Sequence, residues 1–152
     1  MKKTLVLSLA LVFLLTLSAS GLAQIEIMYW HAMSGLAGQA IEEQVNQFNE
    51  SQDRIHVKVE YKGSYRDTLN ATTAAVRAGN APHVIQSFEI STRQLLDMGI
   101  FVSLEESIPE GMVNWDKFLP QVTDYYRMDG VLYSMPYNSS NPILYINRDI
   151  FE

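Results

Sequence analysis

Hydrophobic positions along this chain switch between two spacings, and the switches mark its elements. Ile25-Glu-Ile-Met-Tyr-Trp30 is apolar enough for a strand buried on both faces, and His31 to Gly35 reads as a loop. From Leu36 to Asn49, apolar residues recur at Ala37, Ile41, Val45 and Phe48, one face of a helix. Asn49 to Asp53 is polar turn material. Ile55 to Tyr61 then alternates without a break, placing Ile55, Val57, Val59 and Tyr61 on one side of a strand. Ser64 and Asp67 stand at capping-box spacing and predict a helix to about Ala78, with Leu69, Thr73 and Val76 inward. Gly79 supplies a left-handed stop and Pro82 prevents continuation. His83 to Phe88 is a short buried strand and Ser91 to Met98 a further helix turn or two. Strands alternating with helices in this way define an α/β chain with a mainly parallel sheet flanked by helices.

Beyond Gly99 the pattern loosens. Phe101 to Gly111 reads as an extended surface segment and Phe118 to Tyr126 as a short helix. Asp129-Gly130 is a tight-turn dipeptide between Tyr125–Met128 and Val131–Ser134, which predicts a small hairpin. Pro136 to Pro142 is a loop holding Asn138-Ser139-Ser140-Asn141, and Leu144 to Asn147 is a further strand. A helix opening at Arg148 would be cut within its first turn, with nucleation cost and no propagation to offset it. The expectation is therefore a portion of a longer protein.

The N-terminal pattern changes what the rest can be. Lys2-Lys3 precedes an uncharged apolar run from Leu5 to Leu17, then small residues at Gly21 and Ala23. This is the layout of a cleaved secretory leader over residues 1–23, and the run is shorter than the roughly 20 residues needed to span a bilayer. Residues 24–152 then form one unit exported from the cytoplasm. No cysteine is present, which excludes a lipid-bearing N-terminal cysteine, a thiolate nucleophile and a disulfide framework. Without the two leader lysines the net charge moves from −6 to −8, which argues against a nucleic-acid partner. An anionic small molecule stays open, since hydroxyls and backbone N–H groups bind anions without net positive charge.

Catalytic patterns are sparse. His31, His56 and His83 share no metal-ligand spacing, so no metal and no cofactor is expected. No G-x-S-x-G elbow occurs. A paired-carboxylate glycosidase needs a second acid facing Glu89, and Glu105 and Glu106 belong to an acidic surface run. Recognition remains. In open α/β sheets small ligands sit outside the carboxyl ends of the strands, and Tyr65 and Glu89 fall at two such ends. Tyr65 offers a ring and a hydroxyl at a helix start. Glu89 follows a buried strand, where a carboxylate without a partner is costly. Ser139 and Ser140 bring hydroxyls and amides suited to a phosphate or sugar, in a composition equally ordinary for a turn. Trp30 and His31, ending the first strand, complete the candidate set.

At Tyr29-Trp-His-Ala-Met33, Phe48-Asn49, Tyr61-Lys-Gly-Ser-Tyr65, Arg77-Ala-Gly-Asn-Ala-Pro82, Ser87-Phe-Glu89 and Pro136-Tyr-Asn-Ser-Ser-Asn-Pro-Ile-Leu-Tyr145, the chain resembles the extracytoplasmic solute-binding proteins of ABC importers. Within them it is most similar to the members that take sn-glycerol 3-phosphate. The resemblance implies a two-lobed clamshell of which this chain is the periplasmic-binding-protein-like first lobe, the second lobe being missing. It implies contacts to sn-glycerol 3-phosphate from Tyr65, Glu89 and Ser140, with Glu89 on the glycerol hydroxyls. It implies no catalysis, a monomer outside the cytoplasm, and partner permease subunits in the membrane. A sugar or oligosaccharide ligand, stacked on Tyr65 and Trp30, is the alternative. A secreted carbohydrate-active enzyme is a third reading, which a simple hydrolysis assay would reveal.

Overall fold

The structure, a computed structural model, describes residues 24–99, 101–140 and 143–151. The leader expected at 1–23 lies outside the described residues. The chain divides into two compact units, one ending at Phe88 and one beginning at Glu89.

In the first unit, strand β1 (Ile25–His31) is followed by helix α1 (Gly35–Glu50), strand β2 (Ile55–Tyr61), helix α2 (Tyr65–Arg77) and the two-residue strand β3 (Val84–Ile85). All three strands run parallel in the order β2-β1-β3. β1 pairs with β2 along its whole length, from Ile25 opposite Ile55 to His31 opposite Tyr61. β3 joins the other edge of β1 only at Tyr29 and Trp30. Because β2 and β3 lie on opposite sides of β1, right-handed crossovers put α1 and α2 on opposite faces of the sheet.

The alternation in β2 holds, with Ile55, Val57 and Val59 half-buried between exposed His56 and Lys58, but Tyr61 is exposed. α1 departs from its expected face. Gly38 and Ile41 are buried, Val45 is half-buried, and Ala37 and Phe48 are exposed. The last turn of this helix is held by a polar clamp instead. Asn49 donates from Nδ2 to the Val57 carbonyl at 2.9 Å and accepts from the Val57 amide at 2.8 Å. β2 is an edge strand, and the clamp closes backbone groups that the edge would leave open.

α2 starts as predicted. The Ser64 amide donates to Asp67 Oδ2 at 2.9 Å and the Asp67 amide to Ser64 Oγ at 3.2 Å. Gly63, just before the cap, has φ +93°, and a Cβ there would come within 2.8 Å of Asp67 Oδ2. Only glycine fits that turn without strain. The inward face of α2 is displaced from the expected one, since Thr68 and Thr72 are fully buried while Leu69, Thr73 and Val76 are half-buried. Their hydroxyls donate to the carbonyls four residues back, Thr68 to Ser64 at 3.0 Å and Thr72 to Thr68 at 2.8 Å, so burial leaves no donor unpaired.

The second unit is built from shorter pieces. A 3₁₀ turn (Glu89–Ser91) leads into helix α3 (Thr92–Asp97), then α4 (Leu104–Ser107), a 3₁₀ turn (Trp115–Lys117) and α5 (Pro120–Tyr125). Strands β4 (Arg127–Met128) and β5 (Val131–Leu132) form the expected antiparallel hairpin, and α6 (Arg148–Phe151) follows. Asp129 and Gly130 both have positive φ, the requirement of a two-residue turn of this hand. Two expectations fail here. The segment read as extended contains α4, capped by Ser103, whose hydroxyl accepts from the Glu106 amide at 3.3 Å. No strand forms among the described residues at 143–147. Leu132, wholly buried, is the centre of this unit, and Glu105 accepts from its amide at 3.2 Å. Arg127 bonds the same carboxylate at 2.7 Å and the Gly130 carbonyl at 2.9 Å. The Arg127 hydrogen bond, then the Leu132 amide, hold the Glu105 carboxyl below its usual pKa.

Candidate functional site

The carboxyl ends of β1, β2 and β3 carry Trp30, His31, Lys62 and Gln86. Successive side chains of a strand point to opposite faces, so Trp30 and His31 part company at the end of β1. On the Trp30 face, the Lys62 ammonium lies 4.0 Å from the indole centroid, a cation–π contact, and pairs with Glu60. That hydrogen bond, ahead of the lysine charges around it, lowers the Glu60 pKa. The Lys62 amide donates to the His31 carbonyl at 2.9 Å, extending the ladder one step past the strands.

On the other face, the His31 ring lies between Tyr29 and Tyr61, with centroids 6.0 Å and 5.7 Å away. His31 is 1% exposed, so it ends a strand and is buried, where the sequence suggested a loop histidine. Its Nδ1 accepts from the Met33 amide at 3.3 Å. Burial lowers its pKa, with the Glu42 carboxylate of α1 opposing.

β3 is tied to β1 by two side chains. His83 Nδ1 accepts from the Met28 amide at 3.0 Å while the His83 amide donates back to the Met28 carbonyl at 3.0 Å. The Gln86 amide donates to the Trp30 carbonyl at 2.8 Å, and Gln86 Oε1 accepts from the Ala32 amide at 3.1 Å. These two residues extend a strand whose own ladder is only two residues long.

Of the six candidates, Trp30, His31 and Tyr65 belong to this first unit. Tyr65 opens α2, half-buried, and its ring stacks on Phe88 at 5.6 Å with 28° between planes. Trp30 is 7% exposed, with Lys62 over its ring. Glu89, Ser139 and Ser140 belong to the second unit. Glu89 is exposed at the start of a 3₁₀ turn, so the burial penalty inferred from a preceding buried strand does not act on it. Ser139 and Ser140 are exposed in the irregular segment after β5, and the Tyr126 hydroxyl lies 3.5 Å from the neighbouring Asn138 carbonyl. Among the described residues, no group of three or more His, Asp or Glu side chains is placed to hold a metal ion.

Sequence reasoning left Lys62, His83 and Gln86 out of the candidate set, His83 after it was weighed only as a metal ligand. A signal existed for the last of these, a long polar side chain inside the apolar run His83-Val-Ile-Gln-Ser-Phe88. The first unit thus presents a parallel three-stranded sheet with polar groups at its carboxyl ends. The family model for bacterial extracellular solute-binding proteins matches residues 43–152, and the chain belongs to that family.

Among curated proteins, it is 38% identical over 142 residues to the sn-glycerol-3-phosphate-binding periplasmic protein UgpB of Brucella abortus (strain 2308), covering 91% of this chain and 33% of that protein. It is 41% identical over 134 residues to the protein of the same name from Rhizobium meliloti (strain 1021), covering 86% and 31%. The chain thus spans about a third of the length of the curated relatives it matches. Among solved structures, the cyclic alpha-maltosyl-1,6-maltose binding protein from Arthrobacter globiformis superimposes with a TM-score of 0.63 at 20% identity, over 72% of this chain and 27% of that one. The sugar-binding protein MalE from Xanthomonas citri gives 0.63 and 20%, over 73% and 28%. At such identity these two speak for the fold alone.

Proposed function

We propose that this chain is the first-lobe portion of the substrate-binding component of an ABC importer, exported by a leader at residues 1–23. Its solute is sn-glycerol 3-phosphate or a glycerophosphodiester. The observation that carries this reading is 34–41% identity to proteins named for binding sn-glycerol 3-phosphate, over 86–95% of the chain. In this reading Glu89 accepts from the glycerol hydroxyls, and Tyr65 and Ser140 hold phosphate or glycerol oxygens, with Ser139 beside them. The exposure of Glu89 and the two serines leaves them available to a solute. The protein works as a monomer outside the cytoplasm, without catalysis, and delivers its solute to membrane permease subunits.

A sugar reading draws on the cyclic alpha-maltosyl-1,6-maltose binding protein and the sugar-binding protein that share the fold. It is the weaker one, because stacking a pyranose on Trp30 would require the buried indole to give up its Lys62 contact. Calorimetric titration of the complete protein with sn-glycerol 3-phosphate, glycerol and maltose separates the two. Binding of the phosphate ester with affinity lost for glycerol supports the proposal. Binding of maltose alone, or hydrolysis of an oligosaccharide, contradicts it.

A further inference from the structure

Among the described residues only β1 pairs with β2, which leaves the other side of β2 as an edge. The ladder settles which backbone groups face that edge. Ile25 N donates to the Arg54 carbonyl and Lys62 N to the His31 carbonyl, both at 2.9 Å, so Arg54 and Lys62 face β1. Alternate residues of a parallel strand face the same neighbour, so Ile55, Val57, Val59 and Tyr61 turn their N–H and C=O groups to the open side. A β-branched edge of this kind is a template for another strand.

Two carboxamides already occupy part of that template. Asn49 donates to the Val57 carbonyl at 2.9 Å and accepts from the Val57 amide at 2.8 Å. Gln52 repeats the pattern at Ile55, where its Nε2 donates to the carbonyl and its Oε1 accepts from the amide at 2.7 Å. Each side chain offers a donor and an acceptor as a backbone peptide would.

We propose that Asn49 and Gln52 stand in for a neighbouring strand and keep β2 from pairing with β2 of a second copy of this chain. The inference does not depend on which solute is bound. Two copies related by a twofold axis would pair their edges antiparallel. With the axis at Val59, Val57 comes opposite Tyr61 of the other copy. Lys58 and Glu60, 3.9 Å apart within one strand, then also face each other across the junction, and opposite charges favour that register. Asn49 closes it at both ends by occupying Val57. An axis at Lys58 sets Ile55 opposite Tyr61 and Val57 opposite Val59, so every rung meets a clamped residue, and Lys58 faces its own copy. An axis at Glu60 avoids both clamps, but it leaves only Val59 opposite Tyr61 and sets Glu60 against Glu60. Like charges directly opposite disfavour those two registers.

In the complete protein that carries this chain, light scattering after size exclusion is expected to give the parent the mass of one chain. Asn49→Ala/Gln52→Ala is expected to rise toward the mass of two chains as concentration increases. Adding Val59→Pro returns it to one chain, since the Val59 N–H faces the open side and its loss costs no bond to β1. A double variant with an unchanged circular dichroism spectrum that stays a single chain at every concentration overturns the proposal. A mass gain that Val59→Pro leaves in place marks association through unfolded chain and overturns it too, as does a parent dimer that Val59→Pro splits. If the double variant does not fold, Asn49→Ala alone carries the same test, because Asn49 and not Gln52 closes the Val59-centred register.

Discussion

The two units of this chain, ending and beginning at Phe88 and Glu89, use similar residues to different effect. In the first, a seven-residue parallel ladder is reinforced by side chains bonded to the backbone, Asn49 on β2 and His83 and Gln86 on β1. In the second, helices of four to six residues surround a two-residue hairpin with Leu132 at its centre. Large apolar side chains there stay outside, with Leu144 and Tyr145 each 87% exposed. Side-chain-to-backbone bonds occur in both units, but in the first they extend a ladder and in the second they close turns and short helices. A ladder gains from every added residue, whereas short helices keep most of their terminal groups unpaired and depend on neighbours.

The comparison breaks most readily in the two cores. Ile41→Ala, at a site 2% exposed, is expected to cost about 3 kcal/mol, read from urea unfolding. Leu132→Ala carries a similar chemical cost of about 3 kcal/mol but confines it to the second unit. Hydrogen exchange should then rise across 101–134 while β1 and β2 stay protected. Equal loss of protection in both units would show that they unfold as one. Asn49→Ala removes two bonds to the edge of β2 and is expected to cost about 2 kcal/mol, with exchange faster at Val57. An unchanged urea midpoint would reduce the clamp to decoration. Ser64→Ala, at the start of α2, should cost about 1 kcal/mol.

Acidity sharpens the same contrast at smaller scale. Burial lowers the pKa of His31, so the unfolded chain binds its proton first as pH falls. Stability from His31 is fully present above the ordinary imidazole value of 6.5 and declines as pH falls through its lowered value. His31→Gln should flatten that part of the profile. Glu60, Asp67 and Glu105 are lowered from ordinary values of 4.5, 3.8 and 4.5, so their contributions are present above those values and fade below them in both units. A stability profile flat from pH 7 to pH 5 would remove His31 from the account.

What the sequence made legible follows from the range of the forces involved. The β2 alternation, the Ser64–Asp67 cap and the Asp129-Gly130 turn are decided within a few residues, and they formed where expected. The inward face of α2 was misplaced because Thr68 and Thr72 bury their hydroxyls in the helix's own carbonyls, which hydrophobic spacing does not register. β3 came out shorter than the apolar run around it, since His83 and Gln86 hold that edge by side chains rather than by ladder. The short α4 is a capping event at Ser103, invisible to periodicity in four residues. Of the candidate site, the sheet-end position of Trp30, His31 and Tyr65 was readable. The burial of His31 and the amide orientation of Gln86 depend on strands brought together from distant sequence.

The central claim is that Tyr65, Glu89 and Ser140 address one small solute. A crystal structure of the complete protein with sn-glycerol 3-phosphate bound tests it most directly. The account predicts a single ligand molecule with the Tyr65 hydroxyl, a Glu89 carboxylate oxygen and the Ser140 hydroxyl all within hydrogen-bond distance, roughly 2.5–3.2 Å. A ligand seated elsewhere, or one touching none of the three, would contradict it.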